Sequence, residues 1–448
     1  MKVGLRYGVN AQTSCTLESS GGFILGTIEG GVFQEGLPLL AYTKVNILLS
    51  GRYAVISADG VLISDDFGVS NCIMPYNYLE DGVIRYEGAS YRGGMSFFVN
   101  SNNTLNVINC LGIEQYLYGV ISGEIGRSSP AEALKAQAVV SRSYAVKKEG
   151  NHKNDGFDLC STGHCQVYKG YGGEYAETNG AVDETAGLVL LNKGEPVAGY
   201  YYKNSGGHTQ NSEDVWNNTE DYLRGVVDEF SPDYPWTWRS SFREIRTALT
   251  GTGNDPGDIS SVEISKRNSY GSVLEMKIKG SRTTVTLSKE QIRNVLGFNN
   301  IKSPIFSLGG FSSGEAGAST GAGGGTELFA TNGPSASKVS GKIFVLSGEG
   351  AAVSKEVGEL RVEGSTPGVF GGEGQDSQTL DKTGDTSVKG LTASEIATSD
   401  PVVFSGKGYG HGVGLPQDSA IEMAKKGYDY AAILEKYYTG IQVGVRLD

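Results

Sequence analysis

The sequence lacks any run of about 18 apolar residues, the length that a membrane-spanning helix needs. The first ten residues, MKVGLRYGVN, also lack the apolar segment of a signal peptide. No transmembrane segment is therefore predicted in this chain. Either the protein stays in the cytoplasm or its signal segment is not part of this sequence.

Basic charge and cysteine are both scarce. The 38 Lys and Arg residues are outnumbered by 50 Asp and Glu residues, which gives a net charge of −12. A protein that binds a phosphate backbone needs a basic face, so nucleic acid is excluded as the main partner. The five cysteines are an odd number, so a complete disulfide framework is excluded as well.

Glycine and tyrosine are abundant instead, with 66 and 24 residues among 448. The glycine content is about twice the usual share and indicates many turns. Tyrosine suits a groove that must be apolar and hydrogen-bonding at once. The length predicts two or three compact units. We predict an α+β fold: a β-rich, multi-domain chain with a few short helices packed around a groove.

Composition divides the chain into four segments. Residues 1–95 contain short β-branched runs such as GFILGTI and KVNILLS, and we predict an N-terminal β-rich module there. Residues 96–310 are predicted to form the functional core. Residues 311–399 are a Gly/Ser-rich insertion, partly β or disordered. Residues 400–448 return to an ordered pattern and are predicted to complete the core.

The clearest helix signal is SSPAEALKAQAVVSRSYAVKKEG, residues 128–150. Ser129 is a natural N-cap, Pro130 suits the first turn, and Glu132 would complete a capping box. One narrow face carries mostly small residues, which allows close packing. Just upstream, the stretch GVISGEIG places Glu124 between glycines. In a half-apolar cleft such a carboxyl has a raised pKa and can donate a proton, whereas in an open loop it is a solvated charge.

The stretch NHKNDGFDLCSTGHCQVY, residues 151–168, contains His152, Cys160, His164 and Cys165. Thiolates and imidazoles are the ligands that Zn²⁺ prefers. The spacing is not that of a standard zinc finger, and we expect no fourth ligand from His164, because adjacent residues rarely bind one ion together. Buried thiols beside polar loop histidines, or a Cys–His hydrolase, remain alternatives on spacing alone.

Two glycine-containing stretches are further candidates. YYYKNSGGHTQNSEDVW, residues 200–216, combines small polar side chains with an aromatic plane, which suits a sugar ring, although Gly-Gly also marks a simple turn. GKGYGHGVG, residues 406–414, has glycine at every second position. This pattern indicates close approach of the backbone to a ligand or another segment, or a glycine loop that serves the fold.

Five segments, in this order, resemble motifs of the SpoIID/LytB family of bacterial cell-wall proteins. They are YLYGVISGEIG, PAEALKAQAVVSRSYA, CQVY, SGGHT and GYGHGVGLPQ. The resemblance covers roughly residues 100–308 and 400–440. It implies a lytic transglycosylase that cleaves the MurNAc–GlcNAc β-1,4 bond of peptidoglycan glycan strands and leaves a 1,6-anhydroMurNAc end. The catalytic glutamate of the family corresponds to Glu124. Because the sugar's own 6-hydroxyl is the nucleophile, one carboxyl suffices where an ordinary glycosidase needs two.

The resemblance implies further roles. Some relatives bind zinc through one His and two Cys, which correspond to His152, Cys160 and Cys165; this zinc would be structural, and the chemistry itself would need no cofactor. The family's groove and support positions correspond to Lys135, Arg142, Tyr144, Gln166, Tyr168, Ser205, Thr209 and His411. Peptidoglycan lies outside the membrane, so the expected location is extracytoplasmic, at the cell wall or membrane-associated, in wall remodelling that includes sporulation.

Other functions stay open. Some family members are enhancers of an amidase, a second cell-wall hydrolase, and bind peptidoglycan without cleaving it. A zinc hydrolase is a third candidate. The chain also departs from the family pattern, since Gly126 replaces a proline and makes that loop freer. Pro416 replaces the family serine, so the role of that serine is absent here.

Overall fold

A computed structural model describes residues 1–68, 70–309, 338–346, 352–361 and 396–445. The chain divides into two compact units, one formed by residues 1–311 with 391–448 and the other by residues 312–390. Strands and short helices make the described part an α+β protein rich in strands, which confirms the predicted fold class. None of the helices described is both long and apolar enough to cross a membrane.

The strands up to residue 110 are short and bounded by turns. They are β1 (Lys2–Arg6), β2 (Ser14–Glu18), β3 (Phe23–Glu29), β4 (Val32–Leu39), β5 (Lys44–Ser50), β6 (Tyr53–Ala58), β7 (Val61–Phe67), β8 (Asn71–Pro75), β9 (Val83–Tyr86), β10 (Ala89–Arg92), β11 (Gly94–Val99) and β12 (Leu105–Cys110).

The later strands are scattered between helices. They are β13 (Leu159–Cys160), β14 (Leu188–Asn192), β15 (Glu195–Pro196), β16 (Tyr201–Tyr202), β17 (Pro235–Ser240), β18 (Ile259–Arg267), β19 (Val273–Gly280), β20 (Thr284–Ser288), β21 (Phe306–Leu308), β22 (Lys338–Leu346), β23 (Ala352–Arg361), β24 (Ile396–Ala397), β25 (Val402–Lys407), β26 (Leu415–Pro416) and β27 (Ile441–Val445).

The described α-helices are mostly of two or three turns. They are α1 (Ile113–Glu124), α2 (Ala131–Lys147), α3 (Ala176–Glu184), α4 (Ser212–Val215), α5 (Phe242–Gly251), α6 (Glu290–Leu296), α7 (Gln417–Lys425) and α8 (Tyr430–Tyr437).

Two sheets form the N-terminal part of the first unit. Their strand orders are β13-β1-β12-β11-β8-β3-β4 and β10-β9-β2-β5-β6-β7. Burial alternates along β5, where Val45 and Ile47 face inward and their neighbours face solvent, as expected for a half-buried strand. The boundary that we predicted between residues 95 and 96 falls inside β11, and the sheet continues through β12. One hydrophobic cluster runs from these strands into α1 and α2.

Helix α2 is the central helix of the core. Eleven of its 17 residues are buried, and it contacts α1, α3, α7, α8 and β14, because its small side chains allow close approach on several sides. The predicted capping box is wrong: the helix begins after Pro130, and the Ser129 hydroxyl donates to the Ile125 carbonyl at 2.8 Å. Glu132 instead accepts from the backbone N–H of Tyr430 at 2.9 Å, so a local bond engages Ser129 and a tertiary contact engages Glu132.

The C-terminal residues are built into sheets that begin earlier in the chain. β25 lies between β17 and β21, β27 pairs with β14, and β26 pairs in parallel with β16. β18 and β19 form a hairpin, and β20 and β24 complete their sheet. Helices α7 and α8 are separated by a turn that contains Gly427. These long-range pairings bring the glycine-rich loop of residues 406–414 beside residues 200–210.

The second unit is described only through two strands. β22 and β23 pair in antiparallel register, with Val345 opposite Val353. Both strands lie within residues 311–399, the segment that we predicted as a Gly/Ser-rich insertion, partly β or disordered. The rest of the predicted insertion, residues 311–337, 347–351 and 362–395, lies outside the described residues.

Candidate active site

Glu124 is the last residue of α1, where a packed helix changes into a turn. Tyr116, Leu117 and Val120 bury the inner side of this helix and fix its end. The turn continues through Gly126, whose φ is 83°. Proline holds φ near −65°, so the proline of the family pattern could not adopt this backbone. The local conformation found here therefore favours glycine and excludes proline.

The Glu124 carboxylate is partly buried, and the backbone N–H of Val167 donates to its Oε1 at 2.8 Å. Burial raises the pKa of Glu124, and the Val167 N–H, the nearby Tyr201 hydroxyl and the Lys169 ammonium oppose this rise without cancelling it. A carboxyl that keeps its proton to higher pH suits general acid catalysis.

A chain of side chains leads from Tyr201 into the interior. Gln166 Nε2 donates to the Tyr201 hydroxyl oxygen at 3.2 Å, and Gln166 Oε1 accepts from the Tyr116 hydroxyl at 3.2 Å. Gln166 is only 1% exposed. Among the groove and support positions predicted from the sequence, Gln166 is thus placed as a support residue.

Aromatic side chains line up beside this carboxyl; we call Tyr144, Tyr200, Trp216 and His411 the aromatic wall. Neighbouring ring centroids are 6.1 Å apart for Tyr144–Tyr200, 4.6 Å for Tyr200–Trp216 and 5.3 Å for Trp216–His411. Burial raises the pKa of Tyr144, and the Glu124 charge adds to the rise, so this end of the wall lies close to the carboxyl. Partly exposed aromatic faces suit the C–H faces of a sugar ring.

His411 is held neutral. Burial lowers its pKa to about 3, with the Arg293 charge adding to the effect, while a hydrogen bond with the Tyr201 backbone opposes it. The N–H of Val413 donates to His411 Nδ1 at 3.1 Å. The proton of the neutral ring is therefore assigned to Nε2. His411 is a support residue rather than an acid or base at neutral pH.

The glycine-rich loop packs against residues 200–210, which is the close approach to another segment that its pattern predicted. A Cβ at Gly410 would lie 2.5 Å from the Tyr202 Cβ, and one at Gly414 would lie 2.1 Å from the Tyr200 carbonyl. Both glycines have positive φ, at 123° and 79°. The N–H of Leu415 donates to the Tyr200 carbonyl at 3.0 Å. The loop thus fixes the backbone behind the aromatic wall.

Ser205 and Thr209 are buried in the same segment. The Thr209 hydroxyl accepts from the N–H of Val226 at 2.8 Å. Ser205 donates to Asp228 Oδ2 at 2.5 Å, and the same carboxylate accepts from Ser419 at 2.7 Å and from Tyr437 at 2.8 Å. Asp228 is 3% exposed and was missed from the sequence, because its partners come from distant segments.

Three other predicted positions are engaged within the protein. The Lys135 ammonium pairs with Glu132 at 2.8 Å and with Glu184 at 2.6 Å. Arg142, at 1% exposure, binds Glu114 at 2.6 Å and donates to two backbone carbonyls. The Tyr168 hydroxyl donates to Asn109 Oδ1 at 2.7 Å, and its ring packs on Tyr116. These placements are those of support residues.

His152, Cys160, His164 and Cys165 form a cluster able to hold a metal ion, with all ligand atoms within 4.8 Å of one another. His164 Nδ1 lies 3.6 Å from Cys160 Sγ and 3.5 Å from Cys165 Sγ, and His152 Nε2 lies 3.5 Å from Cys165 Sγ. The structure places His164 within this cluster although it adjoins Cys165 in the sequence, because the turn that follows Thr162 brings its ring back over the two sulphurs.

The donor set fits Zn²⁺. Bonds of about 2.0 to 2.3 Å in a tetrahedron place ligand atoms about 3.4 to 3.8 Å apart, which matches the three separations in this cluster. The Nδ1 atom of His152 faces the Asp155 carboxylate at 3.5 Å, the outer partner that commonly orients a metal-binding histidine. The hydrogen bond between the thiols lowers the pKa of Cys160 and raises that of Cys165.

The cluster and the candidate acid are joined by three consecutive residues. Cys165 belongs to the cluster, Gln166 orients Tyr201, and the N–H of Val167 binds Glu124. Neither Tyr201 nor Val167 was singled out from the sequence. Tyr201 is the middle residue of a Tyr-Tyr-Tyr run. Side chains alternate along a strand, so Tyr201 points away from the side of Tyr200 and Tyr202. This alternation is the one local signal that could have distinguished Tyr201 from its two neighbours.

Comparison with known proteins gives two family matches. The Stage II sporulation protein family (SpoIID) matches residues 101–191, and a domain of unknown function (DUF8618) matches residues 216–326. The first match contains Glu124, α2 and the His/Cys cluster.

Several curated relatives are similar to this chain. An "Amidase enhancer" of Bacillus subtilis (strain 168) is 28% identical over 381 residues, which is 84% of this chain and 47% of that protein. An uncharacterized protein of Brachyspira hyodysenteriae is 34% identical over 200 residues, 44% of this chain and 54% of its own length. A "Stage II sporulation protein D" of Bacillus amyloliquefaciens is 30% identical over 155 residues, which is 31% of this chain and 45% of that protein. The chain spans about half the length of the curated relatives it matches.

Proposed function

Because the chain belongs to the SpoIID/LytB family, we propose that it acts on the cell wall, outside the cytoplasm, as a lytic transglycosylase of peptidoglycan glycan strands. Glu124 is the general acid and base. The observation that carries this proposal is the partly buried Glu124 carboxyl, whose pKa burial raises, next to a wall of sugar-sized aromatic rings.

In the first step the protonated Glu124 carboxyl gives its proton to the bridging oxygen of the MurNAc–GlcNAc bond. The bond to MurNAc C1 breaks, and GlcNAc leaves with a free 4-hydroxyl. The C6 hydroxyl of the same MurNAc then bonds to C1, and its proton passes to the Glu124 carboxylate. The carboxyl is restored, no water is consumed, and the product ends in a 1,6-anhydro ring.

The proposed mechanism uses one carboxyl, and the neighbouring charge that acts on the pKa of Glu124 is the Lys169 ammonium. A glycosidase that uses water or a covalent intermediate needs a second carboxyl a few ångströms away. The internal 6-hydroxyl removes that requirement.

We further propose that the His/Cys cluster holds a structural Zn²⁺ through His152, Cys160, His164 and Cys165. All four donors are then protein side chains, which is typical of a closed structural site, whereas a catalytic zinc keeps one position open. The ion would fix residues 165–167, and with them the N–H that binds Glu124. No step of the reaction passes through it.

The test is product analysis of purified glycan strands by mass spectrometry. The wild-type protein should release fragments with anhydroMurNAc ends, and Glu124→Gln, which keeps the shape of the side chain, should release none while still binding the strands in a pull-down. Equal product formation by Glu124→Gln would refute Glu124 as the acid.

A second function is favoured by the relative named amidase enhancer, whose similarity extends over 84% of this chain. In that case the aromatic wall binds glycan, and the partner is an amidase that cleaves elsewhere on the polymer. Two results would support this function and exclude the first. The wild-type protein would bind glycan strands and leave them intact, and it would make hydrolysis by an added cell-wall amidase faster.

A further inference from the structure

We propose that a second glycan subsite lies beside Glu124, where the exposed rings of Tyr171 and Tyr175 hold sugar rings and the Arg127 and Lys169 cations bind the lactyl carboxylate of a MurNAc unit. This inference rests on the proposed function and deepens it, because it names the charged group of the strand that the protein recognises. We call Tyr171 and Tyr175 together with these two cations the tyrosine platform.

The loop of residues 169–175, which carries most of the platform, is fixed along α1. The N–H of Lys169 donates to the Gly119 carbonyl at 2.9 Å, and the Ser122 hydroxyl donates to the Gly173 carbonyl at 2.5 Å. The same stretch of chain begins two residues earlier with the N–H that binds Glu124 at 2.8 Å. The loop and the candidate acid are therefore held by one helix and keep a fixed relation to each other.

The N-terminal strands support the outer side of this loop. Arg92, at the end of β10, donates to the two carboxylate oxygens of Glu174 at 2.8 Å and 3.0 Å and to Asp81 at 3.0 Å. The side chains of Arg92 and Glu174 are largely buried, so this pair is well shielded from solvent. The Arg92 guanidinium lies 5.1 Å from the centroid of the Tyr171 ring. Tyr171 thus rests on a fixed support although it lies at the surface.

The two tyrosines are open to a ligand. Tyr171 is 41% exposed and Tyr175 is 37% exposed, which is high for large aromatic side chains. A Cβ added at Gly172, between them, would meet no atom within 4 Å, so the surface there is unobstructed. An exposed tyrosine offers an apolar face to the C–H groups of a sugar and a hydroxyl to its oxygens. The platform therefore has the chemistry that the aromatic wall has.

The charge of the platform indicates an anionic sugar. The Arg127 guanidinium lies 4.6 Å from the Tyr175 ring centroid, and a stacked guanidinium keeps its N–H edge free for a carboxylate. The Lys169 stem lies against α1, since a Cβ added at Gly123 would be 3.3 Å from Lys169 Cε. Within the described part of the chain neither cation forms a salt bridge, although acidic residues outnumber basic ones. MurNAc differs from GlcNAc by its lactyl carboxylate, so these cations select MurNAc.

The test measures binding without cleavage, by titration calorimetry of the full chain carrying Glu124→Gln. Two probes of equal length are compared: a neutral GlcNAc oligomer, and an oligomer of alternating GlcNAc and MurNAc with free lactyl carboxylates. Adding Arg127→Ala and Lys169→Ala should weaken binding of the MurNAc probe about tenfold and leave the GlcNAc probe unchanged, because only a charged contact is lost. Adding Tyr175→Ala should weaken both probes about fivefold.

The matched controls are Arg52→Ala and Tyr53→Ala. Both residues are exposed and lie at the turn between β5 and β6, and β6 is four strands away from β10 in the same sheet. Neither control should change the affinity for either probe. A third probe, in which the lactyl carboxylates are converted to amides, should bind the parent protein about as weakly as the MurNAc probe binds the double variant.

The inference is overturned if the double variant, with unchanged thermal melting, binds the MurNAc probe as tightly as the parent, or if it loses the neutral probe to the same extent. Tyr171→Ala repeats the ring test should Tyr175→Ala melt early, and unchanged affinity for both probes would refute the ring contacts. A wild-type protein that shows the expected binding but makes no anhydro ends would refute the proposed function and leave the subsite in place. Anhydro ends together with unchanged binding in every variant would refute the subsite alone.

Discussion

The buried Asp228 carboxylate offers a strong test of how the C-terminal helices are held on the core. It accepts from Ser205, Ser419 and Tyr437, and from the backbone N–H of Phe230 at 3.3 Å. These donors belong to the SGGHT segment, to α7, to α8 and to the loop after residue 228. Replacement by alanine leaves all of them facing a buried space without an acceptor.

The magnitude follows from those contacts. Each buried donor left without an acceptor costs about 1–3 kcal/mol, and the hydroxyl donors recover part of this cost by rotating. Summed over the donors to Asp228, Asp228→Ala should lower the free energy of opening of α7 and α8 by about 4 kcal/mol. That is roughly a thousandfold faster amide exchange. Asp228→Asn keeps one oxygen for Tyr437 and Phe230 and turns its amide to the serine hydroxyls, so it should cost only about 1–2 kcal/mol.

Hydrogen exchange with mass spectrometry of peptides from residues 417–437 measures this effect. Glu422→Gln is the control on the same helix, because Glu422 pairs with Lys425 at the surface, where such pairs contribute little. Exchange in Asp228→Ala within about threefold of the wild type would show that the carboxylate does not hold the helices, since the worked free energy predicts a far larger change.

Three further predictions concern the core and its two sites. Elemental analysis should find one zinc ion per chain. Removal of the ion by a chelator, or by Cys160→Ser or His164→Ala, should lower the melting temperature. A chain that melts identically with and without metal would contradict a structural zinc. Arg142→Met should destabilise the core by about 3–5 kcal/mol, since Glu114 loses its buried partner; unchanged urea unfolding would argue against the pair. Because folding raises the pKa of Glu124 above its ordinary value of 4.5, the wild type loses stability as pH rises above that value. Glu124→Gln should therefore melt higher than the wild type at pH 7 and equally at low pH, and a constant difference across pH would contradict the assignment.

Much of the fold was accessible from local patterns. The small-residue face predicted α2, and close contact with another segment was one of the alternatives that the glycine alternation indicated. These features depend on neighbours within a few residues, which the sequence displays directly. The capping box failed for the opposite reason, because Glu132 is used by the distant Tyr430.

The candidate site was only partly accessible. Glu124 and the three predicted metal-binding residues lie in recognisable motifs. His164 was set aside because it adjoins Cys165, and the turn after Thr162 places its ring 3.5 Å from the Cys165 sulphur. Tyr201 stands between two other tyrosines, and its position beside Gln166 depends on a loop more than 200 residues away. Such long-range contacts leave no periodic signal in the sequence.

The central claim is that one carboxyl, Glu124, cuts the strand with the sugar's own 6-hydroxyl. Digestion of purified glycan strands in heavy-oxygen water, followed by mass spectrometry, tests it most directly. We predict wild-type fragments with anhydro ends that have gained neither water nor label. Labelled reducing ends would mean that water is the nucleophile, and that result would contradict the account.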